Sequence, residues 1–138
     1  MAPQRRSDCP LAFALDAIGD RWSLLVLRDI LLHGKRHYEE FLESGEGIST
    51  NILADRLKRL ARQGLLSKER DADNRRRYIY RPTEKALDLL PVIVEMVLWS
   101  ARYDPDTGVT PDVVERLRDD RAGFFVEVRR RFGRGEGA

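Results

Sequence analysis

Asn51, Lys58, Arg59 and Arg62 recur at spacings that fall on one side of a helix, and together they offer one amide and three cations. An asparagine amide pairs bidentately with the edge of adenine, which makes Asn51 the best base reader in the chain. Lysine and arginine hold phosphate oxygens or read guanine, and Lys58, Arg59 and Arg62 suit either task. Thr50 brings a hydroxyl for phosphate and a methyl for a base methyl, and Ser49 stands at the head of the same stretch. A second cationic group, Arg75, Arg76 and Arg77, follows the turn-rich run Asp71-Ala72-Asp73-Asn74. Guanidinium groups on a loop tip reach phosphates or a narrow minor groove. Alone, the first group is what any solvated helix carries, and the second is what keeps an edge strand soluble. In succession they point to a polyanion.

The charge distribution agrees. The chain carries +2 overall, but Thr50 to Pro82 holds ten Lys/Arg against four Asp/Glu, a net +6 on a body of −4. A basic segment on an acidic body is the footprint of a nucleic-acid surface. Enzymatic chemistry has no such support. There is no Gly-rich phosphate loop, no cluster of metal ligands and no Ser/His/Asp set, so neither an enzyme nor a cofactor is expected. His33 and His37 flank the Gly34 turn without a third ligand and are expected to be solvated loop residues, not a metal site.

Cys9 is the single cysteine, which excludes an intrachain disulfide framework and fits a reducing, cytoplasmic setting. It precedes Pro10 at a helix start, where free N–H groups favour a thiolate, and Arg5 and Arg6 are near in sequence. Free cysteines are also commonly buried and inert, and the two readings stand level. No apolar run is long enough to cross a membrane, no targeting signal is visible, and a cytoplasmic location is expected.

These residues need elements to position them. Ser49 is a good N-cap, Leu53, Leu57, Leu60 and Ala61 make one apolar stripe, and Gly64 is a stop, which predicts a helix over 49–63. Within it Asp55 should pair with Arg59 at i, i+4, and Arg56 lies nearer the buried stripe. A short helix at Tyr38 to Leu42 and a glycine-rich turn at Glu43 to Gly47 precede it, the outline of a helix-turn-helix. Leu65 to Arg70 and Arg77 to Pro82 read as strands around the 71–77 tip, a wing. Upstream, Pro10 to Ile18 forms one helix. Arg21 to Leu32, apolar nearly all round, forms a second that should be the buried centre. Downstream, a helix from Glu84 to about Tyr103 should be kinked by Pro91. Thr110-Pro111 then opens a helix running to the frayed end at Gly133 to Ala138.

The apolar surface of these last helices is too wide for one neighbour in so small a domain, so a second copy is expected to cover it. Leu11, Leu90, Ile93, Val94, Val97, Leu98, Phe124, Phe125 and Val128 are the expected contacts. The alternative use of that surface is a small-molecule pocket lined by Phe124, Phe125 and Trp99.

Several short motifs then carry a resemblance. They are Cys9-Pro10, Ile18 to Leu25, Leu27-Arg28, Tyr38 to Phe41, Gly47 to Ser49, Leu53, Arg56-Leu57, Leu60, Gly64-Leu65, Tyr80, Thr83 to Lys85 and Leu90 to Val92. In this order the chain resembles HxlR-type winged helix-turn-helix transcriptional regulators over about Cys9 to Trp99. Ala86 departs from a frequent glycine, and the segment after Tyr103 extends beyond the family's usual core. The resemblance implies a mainly α fold with a small β-hairpin (α+β), with additional N- and C-terminal dimerisation helices. It implies a winged-helix domain over 1–103; the residues beyond it, 104–138, are expected from their own pattern to form a helical extension with a frayed tail. It also implies a homodimeric repressor on a palindromic operator in double-stranded DNA, and a cysteine at the place of Cys9 that in some relatives senses oxidants, quinones or aldehydes. A ligand-responsive regulator, or a winged helix that binds protein or RNA instead, are the rival functions.

Overall fold

The computed structural model describes residues 7–135. It is mostly helical with one two-stranded antiparallel hairpin, as expected. Helix α1 (Pro10–Ile18) starts on the proline, which lacks only an N–H that the first turn leaves unpaired anyway. Gly19 caps its end, with its amide on the Leu15 carbonyl at 2.8 Å, and a Cβ there would lie 2.4 Å from that oxygen. The Asp20 carboxylate then accepts the amides of Trp22 and Ser23 and the Ser23 hydroxyl, which turns the chain into α2 (Ser23–Leu31). Val26, Leu27, Ile30 and Leu31 of α2 are buried, so this helix is the centre anticipated from its all-round apolarity.

Helix α3 (Tyr38–Leu42), a turn with Gly45 and Gly47 at positive φ, and α4 (Thr50–Arg62) follow. Strands β1 (Leu66–Arg70) and β2 (Tyr78–Pro82) pair from Leu66↔Pro82 to Arg70↔Tyr78. The Tyr80 amide donates to the Arg36 carbonyl at 2.8 Å, which fastens the hairpin to the segment leading into α3.

The C-terminal half differs from expectation at two joints. The stretch after Thr83 is two helices, α5 (Glu84–Leu87) and α6 (Leu90–Tyr103). Pro91 does not kink a continuous helix; it stands in the first turn of a new one, where no hydrogen-bond donor is required of it. Likewise the last helix is broken into α7 (Pro111–Asp119) and α8 (Arg121–Gly135) at Asp120, whose carboxylate accepts the Gly123 amide at 3.2 Å. Val128 of α8 is fully buried in the same core as Leu27 and Leu60, so the extension packs onto the body. The Arg129 guanidinium holds Glu84 and Asp88 of the α5 region.

Packing also corrects the expected contacts with a second copy. Leu90, Ile93, Val94 and Val128 are buried inside this one chain, where α6 packs against α2 and α7 and Val128 of α8 joins the core. Val97, Leu98, Phe124 and Phe125 are half-buried, and Val97, Phe124 and Phe125 pack against the core. Of the nine residues only Leu11 is exposed. Helix α6 is apolar on both faces, and its outer stripe is Val92, Met96, Trp99 and Tyr103, at i, i+4, i+7 and i+11.

Candidate nucleic-acid interface

The site begins with the ends of α4. The Ser49 hydroxyl accepts the Ile52 amide at 3.2 Å. Just beside it the Tyr38 hydroxyl of α3 donates to the Thr50 carbonyl at 3.1 Å, which sets the angle between the two helices. At the other end the Leu65 amide reaches the Leu60 carbonyl at 2.9 Å and the Gly64 amide the Ala61 carbonyl at 3.1 Å. That double bond pattern needs a left-handed residue, and Gly64 supplies it at φ +75°. Leu53, Leu57 and Leu60 anchor the inner face. The outer face is left to Thr50, Asn51, Asp55, Lys58 and Arg62, all exposed, with Ser49 exposed at its head.

Two cations on α4 have other work. Arg56 donates to Asp20 at 2.7 Å and also holds Asp55, so it ties α4 to the α1–α2 turn, in keeping with its place near the apolar stripe. Arg59 does not pair with Asp55. Its guanidinium donates to the Asp16 carbonyl of α1 at 2.8 Å, because α1 crosses within reach and Arg56 has already taken Asp55. Lys58 and Arg62 make no ion pair among the described residues.

The wing tip is built on Asp71. Its carboxylate accepts the Asp73 amide at 2.9 Å, the Arg77 guanidinium at 3.1 Å and His37 Nε2 at 3.1 Å. Arg77 is therefore half-buried and committed to the tip, while Arg75 and Arg76 are exposed and without ion pairs among the described residues. His37 is not a solvated loop residue. It is buried between Glu40 Oε1, 3.0 Å from Nδ1, and Asp71, because the wing folds back onto the start of α3. Hydrogen bonds hold both carboxylates below the usual range. For Asp71 the Asp73 amide acts first, and for Glu40 the amides of Arg36 and His37 outweigh the effect of burial.

Lys68 and Arg70 extend this surface beyond the residues expected from the sequence. Both are exposed on β1 and lie over the Tyr78 ring, 4.1 and 4.5 Å from its centroid, so the cationic surface continues from the tip along the strand. Their alternation with Ser67 and Glu69 was the available signal. Cys9 is exposed as the N-cap of α1, with its backbone amide on the Ser7 hydroxyl. Arg5 and Arg6 lie outside the described residues.

Known proteins are similar to this chain in sequence and fold. Residues 17–107 match the HxlR-like helix-turn-helix family. An uncharacterized HTH-type transcriptional regulator of Mycobacterium tuberculosis, Rv3095, is 35% identical over 116 residues, covering 84% of this chain and 70% of its own. The regulator YodB of Bacillus subtilis is 30% identical over 96 residues, covering 69% of this chain and 85% of its own. Among solved structures, the candidate transcription factor PA1607 superposes with a TM-score of 0.69 at 34% identity, over 76% of this chain and 73% of that one. The redox regulator HypR in its oxidized form gives 0.61 at 27% identity, over 72% of this chain and all of the other. The fold, the capped α4 and the wing thus meet in one conclusion: the chain belongs to the HxlR-like helix-turn-helix family and is a winged-helix transcriptional regulator.

Proposed function

We propose that this regulator acts as a homodimeric repressor that binds a palindromic operator in double-stranded DNA. Helix α4 enters the major groove with its N-terminal end against base edges. Asn51 reads a base, Ser49 and Thr50 contact bases or phosphate at that end, and Lys58 and Arg62 hold phosphate. Arg75 and Arg76 carry the wing, joined by Lys68 and Arg70 along β1. Arg59 and Arg77, engaged on Asp16 and Asp71, serve mainly as fasteners of those elements. The observation that carries the reading is the exposed amide-and-cation face of α4, whose other face is locked by Leu53, Leu57 and Leu60.

Pairing uses α1 and the outer stripe of α6. Leu11, Leu15, Val92, Trp99 and Tyr103 are all exposed, and a monomer in water rarely leaves so much apolar surface open. Cys9 is the sensor of this device: its exposed thiol heads α1, two positions before Leu11 of the exposed apolar set. Support comes from YodB, solved in reduced and quinone-bound forms, and from the redox regulator HypR. Diamide would take the two thiol hydrogens of paired Cys9 residues, becoming the hydrazine as an intersubunit disulfide forms.

Fluorescence anisotropy with duplex DNA from upstream of the protein's own gene tests the reading, with duplex RNA of equal length as control. Tight, salt-sensitive binding of DNA alone is expected. Equal binding of the two, or none, removes it. Diamide should weaken operator binding by the wild type and not by Cys9→Ser; identical responses remove Cys9 from the mechanism.

A further inference from the structure

A cavity of about 840 Å³ opens between α2, α6, α7 and α8. Its wall is apolar, with Leu24 from α2, Val97 from α6, Leu117 from α7 and Phe124 from α8. Neither Phe125 nor Trp99 lines it: Trp99 lies on the outer stripe of α6. The volume is within the range that small-molecule sites occupy, and four separate elements supply the wall. The charged groups on its lining are Arg28, Glu46 and Arg131, with the His33 imidazole. Arg28 is already paired, with Glu46 at 2.8 Å and Asp29 at 2.9 Å. Arg131 has no ion pair among the described residues, and it leaves the lining with an uncompensated positive charge.

We propose that this cavity is an effector site for a small hydrophobic carboxylate, whose apolar body fills the space between α2, α6, α7 and α8 and whose anion meets Arg131. An apolar wall with one guanidinium not already in an ion pair is complementary to a hydrophobic monoanion: the body leaves water, and the planar fork receives the two carboxylate oxygens. The neutral analogue of the same ligand keeps the first gain and loses the second. The site also touches the machinery of α4. Glu46 stands in the turn that leads through Gly47 and Ile48 to the Ser49 cap, and Arg28 holds that turn to α2. Arg28 and Glu46 both line the cavity, so a ligand seated there lies against the ion pair that mounts α4. This coupling rests on the proposed DNA binding; occupancy of the cavity does not.

The test is isothermal titration of the full-length protein, without DNA, with naphthoate and its uncharged isostere naphthamide. Naphthoate is expected to bind at least about tenfold more tightly than naphthamide, the usual worth of a charge-assisted contact. Arg131→Gln should bring the two ligands to equal affinity. Leu24→Trp should weaken both, since the half-buried Leu24 side chain lines the cavity and a larger ring takes up its space. Equal affinities for acid and amide in the wild type, no heat at millimolar naphthoate, or naphthoate binding untouched by both variants overturns the site. Coupling is read separately, as a change of about fivefold or more in operator affinity at saturating naphthoate. Unchanged affinity overturns the coupling and leaves the site standing, and absent DNA binding strikes the proposed function alone.

Discussion

At Asp20 four donors meet one carboxylate. Burial raises its pKa, but the Ser23 hydroxyl, the Arg56 guanidinium and the amides of Trp22 and Ser23 together outweigh it and lower the value to about 2. A carboxylate depressed in the folded state stabilises the fold above its unfolded pKa and loses that contribution as pH falls through the folded one. The contribution of Asp20 is therefore complete near neutrality and disappears between about pH 4 and pH 2. Allowing for the water that still reaches the site, it is worth about 1–2 kcal/mol. Asp20→Asn should cost about that much in a denaturant titration at pH 7, and the gap to wild type should close in acid. A gap that persists at pH 2 assigns the loss to shape instead of charge. His37 makes a second fastening, from α3 to the wing. His37→Ala leaves Glu40 and Asp71 each short of a partner, and should lower stability by about 1–3 kcal/mol in the same measurement. Neither clasp was visible as a pair in the sequence. Asp20 and Arg56 are 36 positions apart and His37 and Asp71 are 34 apart, so only the folded chain brings them together.

Elements were far more legible than side-chain pairs. The helix from Thr50 to Arg62 announced itself because cap, stripe and stop are all local features of the chain. The hairpin did so by alternation around a polar tip. Two joints were misread for one reason: an apolar period runs straight through Asp88 and through Asp120, while the helix does not. Period reports which side of an element is buried, and says nothing of where one element hands over to the next. The face of α6 was misassigned because both its faces are apolar, and periodicity cannot rank them. On the elements that hold DNA in the proposed function, two outcomes are expected. Asn51→Ala should cost about 1–3 kcal/mol against the best operator and relax base preference at one position per half-site, read by competition with substituted duplexes. Arg75→Ala with Arg76→Ala should leave base preference intact. It should lower the slope of log affinity against log salt by about 0.9 for each phosphate that the wing no longer neutralises. A slope unchanged in the double variant takes the wing off the DNA.

The whole molecule has to solve a problem that one copy leaves open. Its core is completed by α8, with Val128 fully buried, yet Leu11 is 73% exposed, Trp99 68% and Tyr103 61%. These residues sit on α1 and α6, and the rings of Trp99 and Tyr103 already lie against each other with centroids 5.4 Å apart. Rigid, clustered aromatics on an open face are what a protein interface uses as anchors. In the proposed dimer, two-fold pairing through this face has to set the recognition helices about 34 Å apart to meet successive major grooves on one side of the duplex. Trp99→Asp places a charge at the centre of this face without touching the core. The variant should sediment as a folded monomer with the circular dichroism of the wild type. Its operator affinity should fall by about a hundredfold or more, because the second half-site no longer comes tethered to the first. A dimer that survives Trp99→Asp moves the pairing surface elsewhere. A monomer that keeps full operator affinity breaks the link between pairing and DNA reading, because α4 would then hold the site alone.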